Sequence, residues 1–258
     1  GTYPLNGLRL FATVRRAVRI GYRGFDGASA YHNEKWLGRG IRWSGLPRER
    51  LFVTTKLSNQ AQFRGDVRKA LMQSLVFLGL RYVDLYLMHW PVPGHFQSSW
   101  LEMEALYQEG LARAIGVCNF HRHHLETLMR EATVVPAVNQ VELHPLLSQS
   151  DVRHICKDLG IQVQAYSPLA RMHPRLIGNE TLAEIASRHR KSVPQVILRW
   201  VVQHGVATVP KTASPVRLEE NFRIYDFSLS DGEMAQIDSL NGDFRVRFDP
   251  DNCDFTQL

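Results

Sequence analysis

The sequence predicts an α/β protein, a (β/α)8 TIM barrel, on three observations. A junction of amphipathic helix, single glycine and short strand recurs along the chain. The strand segments are compact apolar runs without strict polar alternation, as parallel strands covered on both faces are. Functional side chains also stand at the C-terminal ends of consecutive strand segments, the rim where such a barrel keeps its chemistry.

Taken in order, Leu10, Val14, Ala17 and Val18 line one helical face before Gly21, and residues 22–26 form the strand after it. Residues 51–57 make the next strand. Val67, Leu71, Ser74, Leu75 and Leu78 share a helix face before Gly79, which leads to a strand over 82–89. Trp100, Met103, Leu106 and Tyr107 precede Gly110 and the strand at 114–119. Residues 137–143 follow as a strand. Val152, Ile155, Cys156 and Leu159 precede Gly160 and the strand at 161–167. Val196, Trp200 and Val201 precede Gly205 and the strand at 206–210. A glycine just past a helix accepts the left-handed conformation that turns the chain into the next strand.

An eighth strand, first in the chain, is expected to end at Gly1, and eight βα units close a barrel. An open doubly wound sheet is the other α/β answer, but no GxGxxG follows any strand. With no repeat, low-complexity tract or linker, residues 1–258 read as a single domain. Two long loops leave strand ends, at 90–98 and 168–178. The weakly periodic tail after Leu240 (FRVRFDPDNCDF) is expected to lie across the barrel surface.

A chain of 258 residues can bury one barrel-sized core. No apolar run approaches the ~18–20 residues of a membrane helix. The net charge of +6 is scattered, with Arg15, Arg16 and Arg19 as a solvated helix face, which argues against nucleic acid as partner. Cys118, Cys156 and Cys253 are odd in number and make no CxxC pair, so a reducing, cytoplasmic location without disulfides is expected. Because Gly1 falls where a strand should be ending, an upstream segment with room for a targeting sequence is also expected.

Asp26, Lys56 and His89 close three successive strands and Tyr31 follows the first of them. A phenol, with a usual pKa of ~10, exchanges protons poorly at neutral pH. A neighbouring ammonium is expected to lower that value, and a carboxylate behind the ammonium to hold it charged and in place. A tyrosine so tuned can protonate a carbonyl oxygen as it becomes an alkoxide, with His89 orienting the same oxygen. Singly, each of these residues has an ordinary structural reading; their register on consecutive strands is what points to a site.

FDGASAY around Asp26 and Tyr31, TTKL at Lys56, YLMHWP at His89, GVCNF at Asn119, NQVELHP at Gln140, AYSPL at Tyr166 and VPKTASPVRLEEN at 209–221 resemble the aldo-keto reductase family in wording and order. The resemblance runs through nearly the whole chain. It implies a (β/α)8 barrel whose N-terminal hairpin and most of strand one are missing here, and NADPH-dependent reduction of a small aldehyde or ketone by a monomer. Asp26, Tyr31, Lys56 and His89 fall on the family's catalytic tetrad. Tail and motif wording are most similar to a microbial and protist branch with diketogluconate reductases and prostaglandin F synthase-like enzymes.

The cofactor segment also reads physically. Ser214–Pro215 is a helix-start signature, and the free N–H groups there, flanked by Lys211 and Arg217, suit an additional phosphate, favouring NADP(H) over NAD(H). The resemblance implies that Lys211, Thr212, Ser214 and Arg217 belong to that end and that Glu220 and Asn221 contact adenine. It places Ser167 and Leu169 along the pyrophosphate, Tyr166 on the nicotinamide ring, and Asn119, Gln140 and Cys118 at the carboxamide. Thr2 and Tyr3 lie beside the cofactor, with Asp26 behind it; Tyr3, Tyr31, His89 and Trp90 form the substrate wall.

Departures are specific. Cys118 stands where the family usually has serine, a weaker hydrogen-bonding group. Ser58 replaces a common tryptophan and, with Ala30, implies a roomier pocket. His32 is read as a contact behind Tyr31 or with solvent. His121, His123 and His124 invite a metal, but no acid or cysteine stands at ligand spacing, so no metal is expected. His144, before Pro145, reads as structural. Two other function classes remain open: a Schiff-base lyase using Lys56, and a non-catalytic NADPH-binding subunit.

Overall fold

The computed structural model describes residues 1–257. Among these, seven strands form one all-parallel sheet in consecutive order: β1 (Gly24–Asp26), β2 (Phe52–Leu57), β3 (Leu85–Met88), β4 (Ile115–Cys118), β5 (Val138–Glu142), β6 (Gln162–Tyr166) and β7 (Ala207–Thr208). The consecutive order excludes the doubly wound alternative, whose strand order reverses at a switch point. The sheet curls into an incomplete barrel. At its seam, Thr2 N–H donates to Asp26 O at 3.0 Å, and the amino group of Gly1 donates to Pro210 O at 3.1 Å. The chain start therefore occupies the gap beside β1 and the segment after β7, where the end of the expected first strand belongs.

Among the described residues twelve helices surround the sheet: α1 (Gly7–Ile20), α2 (Glu34–Arg42), α3 (Asn59–Arg64), α4 (Val67–Leu78), α5 (Phe96–Gln108), α6 (Arg122–Leu128), α7 (Ser150–Asp158), α8 (Pro174–Ile177), α9 (Glu180–His189), α10 (Val193–Gln203), α11 (Pro215–Phe222) and α12 (Asp231–Asp238). The buried faces of α1 and α4 are those their spacing predicts. Gly79 and Gly160 close their helices at φ +66° and +71°, a region costly for a residue with a Cβ. Gly38 matters for another reason: α2 crosses α4 so closely that a Cβ there would sit 2.0 Å from Leu78 O.

Strand periodicity divides the core in two. Val53, Leu57, Tyr86, Met88, Val117 and Val163 face the helices and join the large annular core. Leu85, Leu87 and Cys118 form a smaller cluster inside the barrel. Register carries the inward side upward. Asp26 pairs Thr54, two residues before Lys56; Lys56 pairs Leu87, two before His89. Cys118 pairs Gln140, Gln140 pairs Gln164, and Tyr166 lies two beyond. Parallel neighbours at one level point the same way, so Asp26, Lys56, His89, Cys118, Gln140 and Tyr166 all face the interior at the C-terminal rim.

Candidate active site

At that rim Lys56 is fully enclosed, and its ammonium donates to Asp26 Oδ1 and to Gly27 O, both at 2.8 Å. Gln140 Nε2 donates to the other carboxylate oxygen, Asp26 Oδ2, at 2.7 Å. Ser29 Oγ donates to Lys56 O at 2.9 Å, and Thr2 Oγ1 to Asp26 O at 2.9 Å, so backbone and side chains of the pair are both anchored. Burial works to raise the Asp26 pKa, but the Lys56 ammonium, aided by the hydrogen bond from the Gln140 side-chain amide, outweighs it and holds the carboxyl below its usual range. For Lys56 burial opposes the charge, yet the Asp26 carboxylate prevails and pushes the ammonium above its usual value. Both groups are charged at neutral pH.

Tyr31 sits on a short 3-10 turn after β1, with the Lys56 Nζ 5.2 Å from its ring centre. Its ring lies 5.7 Å from that of His89 and 5.1 Å from that of Tyr3. The expectation of a lowered phenol pKa needs correction. Burial dominates and raises it, and the Lys56 ammonium only partly offsets that. Tyr31 is thus a firmly protonated phenol beside a fixed positive charge. His89 is pushed down to about 3, first by burial and then by Lys56, so its imidazole is neutral and can give or take one hydrogen bond.

A cavity of about 1240 Å³ opens over these groups. Tyr3, Tyr31, His89 and Trp90 line it, and so does every residue assigned to the cofactor from sequence; Lys56 lies just behind its wall. Tyr166 OH donates to Asn119 Oδ1 at 2.8 Å, and Asn119 Nδ2 donates to His89 O at 3.0 Å. Asn119 and Ser167 hold φ values of +63° and +47°, which turn the chain sharply after β4 and β6 and aim their side chains at the cavity.

At the far end, Ser214 caps α11 by accepting from Arg217 N–H at 3.4 Å, with Pro215 in the first turn as the sequence implied. The helix is fixed from behind: Gln195 Nε2 donates to Glu220 O and Arg223 O, and Tyr22 OH donates to Leu218 O. Lys211 and Arg217 line this end and are exposed. A helix start and two cations at one end, and amide side chains with an aromatic ring at the other, fit a phosphorylated dinucleotide.

Sequence reasoning missed part of the wall. Arg247 and Phe248 in the tail and Arg9 on α1 also line the cavity, and the long loop at 168–178, which its length marks as functional, brings Arg171 and Met172 to it. Arg247 and Phe248 lie in the weakly periodic tail, where no pattern marks them. His32, by contrast, is exposed and does not line the cavity. Ser58 caps α3, accepting from Ala61 N–H at 3.3 Å. His144 is buried against Glu142 at 3.0 Å. The cysteines are free thiols.

The histidine trio does meet an acid, though one far away in sequence. His121 Nδ1 lies 2.7 Å from Asp251 Oδ2, and His123 Nε2 and His124 Nε2 lie 3.3 and 3.7 Å from Asp251 Oδ1. His121, His124 and Asp251 are close enough together to suggest a metal site. The outer nitrogens argue for another use. His124 Nδ1 accepts the His121 backbone N–H at 3.2 Å, and His121 Nε2 accepts from Arg245 at 3.1 Å. In the neutral rings the proton therefore sits on the nitrogen facing Asp251, as a hydrogen bond to a carboxylate requires. A metal on those nitrogens would need protons on the two atoms that already accept. The trio clasps the tail, which Glu142 also grips by accepting from Val246 N–H at 2.7 Å and Arg247 N–H at 3.0 Å.

Among the described residues no helix is long and apolar enough to cross a membrane. Residues 4–242 match the Aldo/keto reductase family. The chain is 48% identical over 250 residues to a glyoxal reductase of Bacillus subtilis, covering 97% of this chain and 90% of that protein. It is 46% identical over 248 residues to a 9,11-endoperoxide prostaglandin H2 reductase of Trypanosoma cruzi, covering 96% and 88%. Among solved structures, an aldo-keto reductase from a deep-sea metagenome superposes with a TM-score of 0.94 at 40% identity, over 98% of this chain and 93% of that one. A Bombyx mori aldo-keto reductase in complex with NADP gives 0.89 at 36% identity, over 94% and 86%. By fold, matched residues and identity along nearly its full length, the chain belongs to the aldo/keto reductase family of oxidoreductases.

Proposed function

We propose that this protein reduces small aldehydes or ketones to alcohols with NADPH, using Tyr31 as proton donor. The observation that carries the reading is the enclosed Lys56 ammonium, bonded to Asp26 and set 5.2 Å from the Tyr31 ring beside a neutral His89. Bound NADPH would supply the hydride. The chain's own residues do the rest. His89 donates a hydrogen bond to the carbonyl oxygen and orients it, polarising the carbon without adding charge. As negative charge grows on that oxygen, Tyr31 transfers its proton to it. The resulting phenolate is stabilised by Lys56, whose charge Asp26 fixes in position.

Lys211, Ser214 and Arg217 would hold the 2′-phosphate, with Thr212 beside them and Glu220 and Asn221 at the adenine. Ser167 and Leu169 would follow the pyrophosphate, and Tyr166, Asn119, Gln140 and Cys118 the nicotinamide. Thr2 and Tyr3 would close the near side, while Tyr3 and Trp90 would flank the substrate. Relatives from Bacillus and Trypanosoma support placing the chain in the microbial and protist branch.

The raised pKa of Lys56 disfavours the Schiff-base alternative, since a nucleophilic amine must be neutral. Steady-state NADPH oxidation with glyoxal, methylglyoxal, aromatic aldehydes and keto-sugars tests the reading. Turnover of a subset supports it. Tight NADPH binding without turnover of any would overturn it in favour of a binding subunit.

A further inference from the structure

Arg247 is placed unlike any other cation of the cavity. Arg9, Arg171, Lys211 and Arg217 line it and are exposed, whereas Arg247 is half-buried in its wall. Among the described residues its guanidinium makes no ion pair or side-chain hydrogen bond; its neighbour is the Phe248 ring, 5.4 Å away. Its backbone is nevertheless held firmly, through the N–H bond to Glu142 and the clasp on Asp251 four residues on.

No acid on the substrate side answers this charge. The acids lining the cavity are Asp26, bound to Lys56 and Gln140, and Glu220, at the opposite end beside Asn221. Glu142 lies close by, but its oxygens accept from Val246 N–H, Arg247 N–H and His144, and it is not part of the cavity wall. The Arg247 backbone N–H is bonded to Glu142, the β5 residue that pairs with Tyr166 on β6, and the Arg247 charge bears on both His89 and Tyr166, so Arg247 stands by the strand ends that carry those side chains.

An unpaired, half-buried guanidinium beside an aromatic ring is suited to a carboxylate, which it can bind through two parallel N–H bonds. We propose that Arg247 is a specificity-determining residue that selects oxo acids, molecules carrying both the reducible carbonyl and a carboxylate. The inference rests on the reductase reading and narrows its substrate class. The reaction is unchanged: the carbonyl carbon gains a hydride, its oxygen gains the Tyr31 proton, and the carboxylate stays ionised on Arg247 throughout.

The test compares each acid with its neutral ester: succinate semialdehyde and para-carboxybenzaldehyde against their methyl esters. In the unmodified protein kcat/KM is expected to favour the acid in at least one pair, and that preference to shrink as ionic strength rises. Arg247→Met is expected to reduce the acid-to-ester ratio by about tenfold or more, mainly through KM, and Arg247→Lys to restore part of it. An equal ratio in Arg247→Met and the unmodified protein overturns the proposal. So does a variant that weakens NADP+ while leaving the ratio intact, which would assign Arg247 to the pyrophosphate. If an Arg247 variant does not fold, a ratio in the unmodified protein that is insensitive to salt overturns it as well. If no carbonyl is turned over, the reductase reading fails by itself. Calorimetric binding of para-carboxybenzaldehyde and its ester to the NADP+ complex then still decides the role of Arg247: a preference for the acid lost in Arg247→Met supports it, and equal binding of the two overturns it.

Discussion

Gln140 donates its side-chain amide to the Asp26 carboxylate at 2.7 Å, joining β5 to β1 across the barrel mouth. One residue assigned to the nicotinamide thus also holds the acid that fixes Lys56. Gln140→Glu should set a second carboxylate against Asp26. At neutral pH the two charges repel and kcat is expected to fall about a hundredfold. Protonation of the new acid restores a donor toward Asp26, so part of the lost activity should return as pH falls. A pH profile of kcat that matches the unmodified protein would show that the amide is dispensable.

Tyr31→Phe removes the hydroxyl proton and little else. Turnover is expected to drop by at least about a thousandfold while NADPH affinity, read by quenching of protein fluorescence, stays within about twofold. Substantial residual turnover would mean that another group delivers the proton.

Arg217→Ala takes one cation from the start of α11. NADPH binding should weaken about tenfold or more and NADH binding hardly at all, since only NADPH brings a phosphate to that helix start. Equal losses for the two cofactors would place Arg217 elsewhere along the dinucleotide.

Beside the catalytic role proposed for it, the Lys56–Asp26 pair bears on stability. Lys56→Met leaves an enclosed carboxylate with no counter-charge and should cost about 3–5 kcal/mol in denaturant unfolding. Asp26→Asn in the same chain should recover much of that. The pH window follows from the two shifts. Asp26 is lowered from 3.8, so its contribution is present above that value and is lost as pH falls through its folded pKa. Lys56 is raised from 10.5, so its contribution is complete below that value and fades as pH rises through its folded pKa. Unfolding free energy should therefore show no step from this pair between about pH 4 and 10; a step near neutrality would contradict the assignment.

Gly38→Ala is the sharpest packing test. The new methyl would overlap Leu78 O, which belongs to helix backbone and cannot swing away. Destabilisation of about 3 kcal/mol, the upper part of the overpacking range, is expected by thermal or denaturant unfolding.

How much of this was legible in the sequence varies by cause. Asp26, Lys56 and His89 could be placed because strand ends are marked locally, by an apolar run closing on a polar residue, and parallel register then aligns them. Ser214 and Pro215 announced a helix start for the same local reason. The direction of the Tyr31 shift was not legible, because its enclosure depends on what distant segments bring over the rim, among them the chain start with the Tyr3 ring 5.1 Å away. Asp251 could not be matched to His121, since 130 residues separate them and no spacing rule spans a barrel. Arg247 was missed because it sits in a segment whose position is set by Glu142 and the clasp on Asp251, not by any periodicity of its own.

That clasp has a wider consequence. The groups proposed to move the proton stand at the C-terminal ends of β1, β2 and β3 and in the turns that follow them, while Arg247 and Phe248 hang from contacts to β5 and the start of α6. On the proposed roles, reactivity and selectivity are bolted to different parts of the frame. Exchanging the strap should re-aim the enzyme toward other molecules without retuning its acid, provided Asp251 and its three imidazole fastenings are kept.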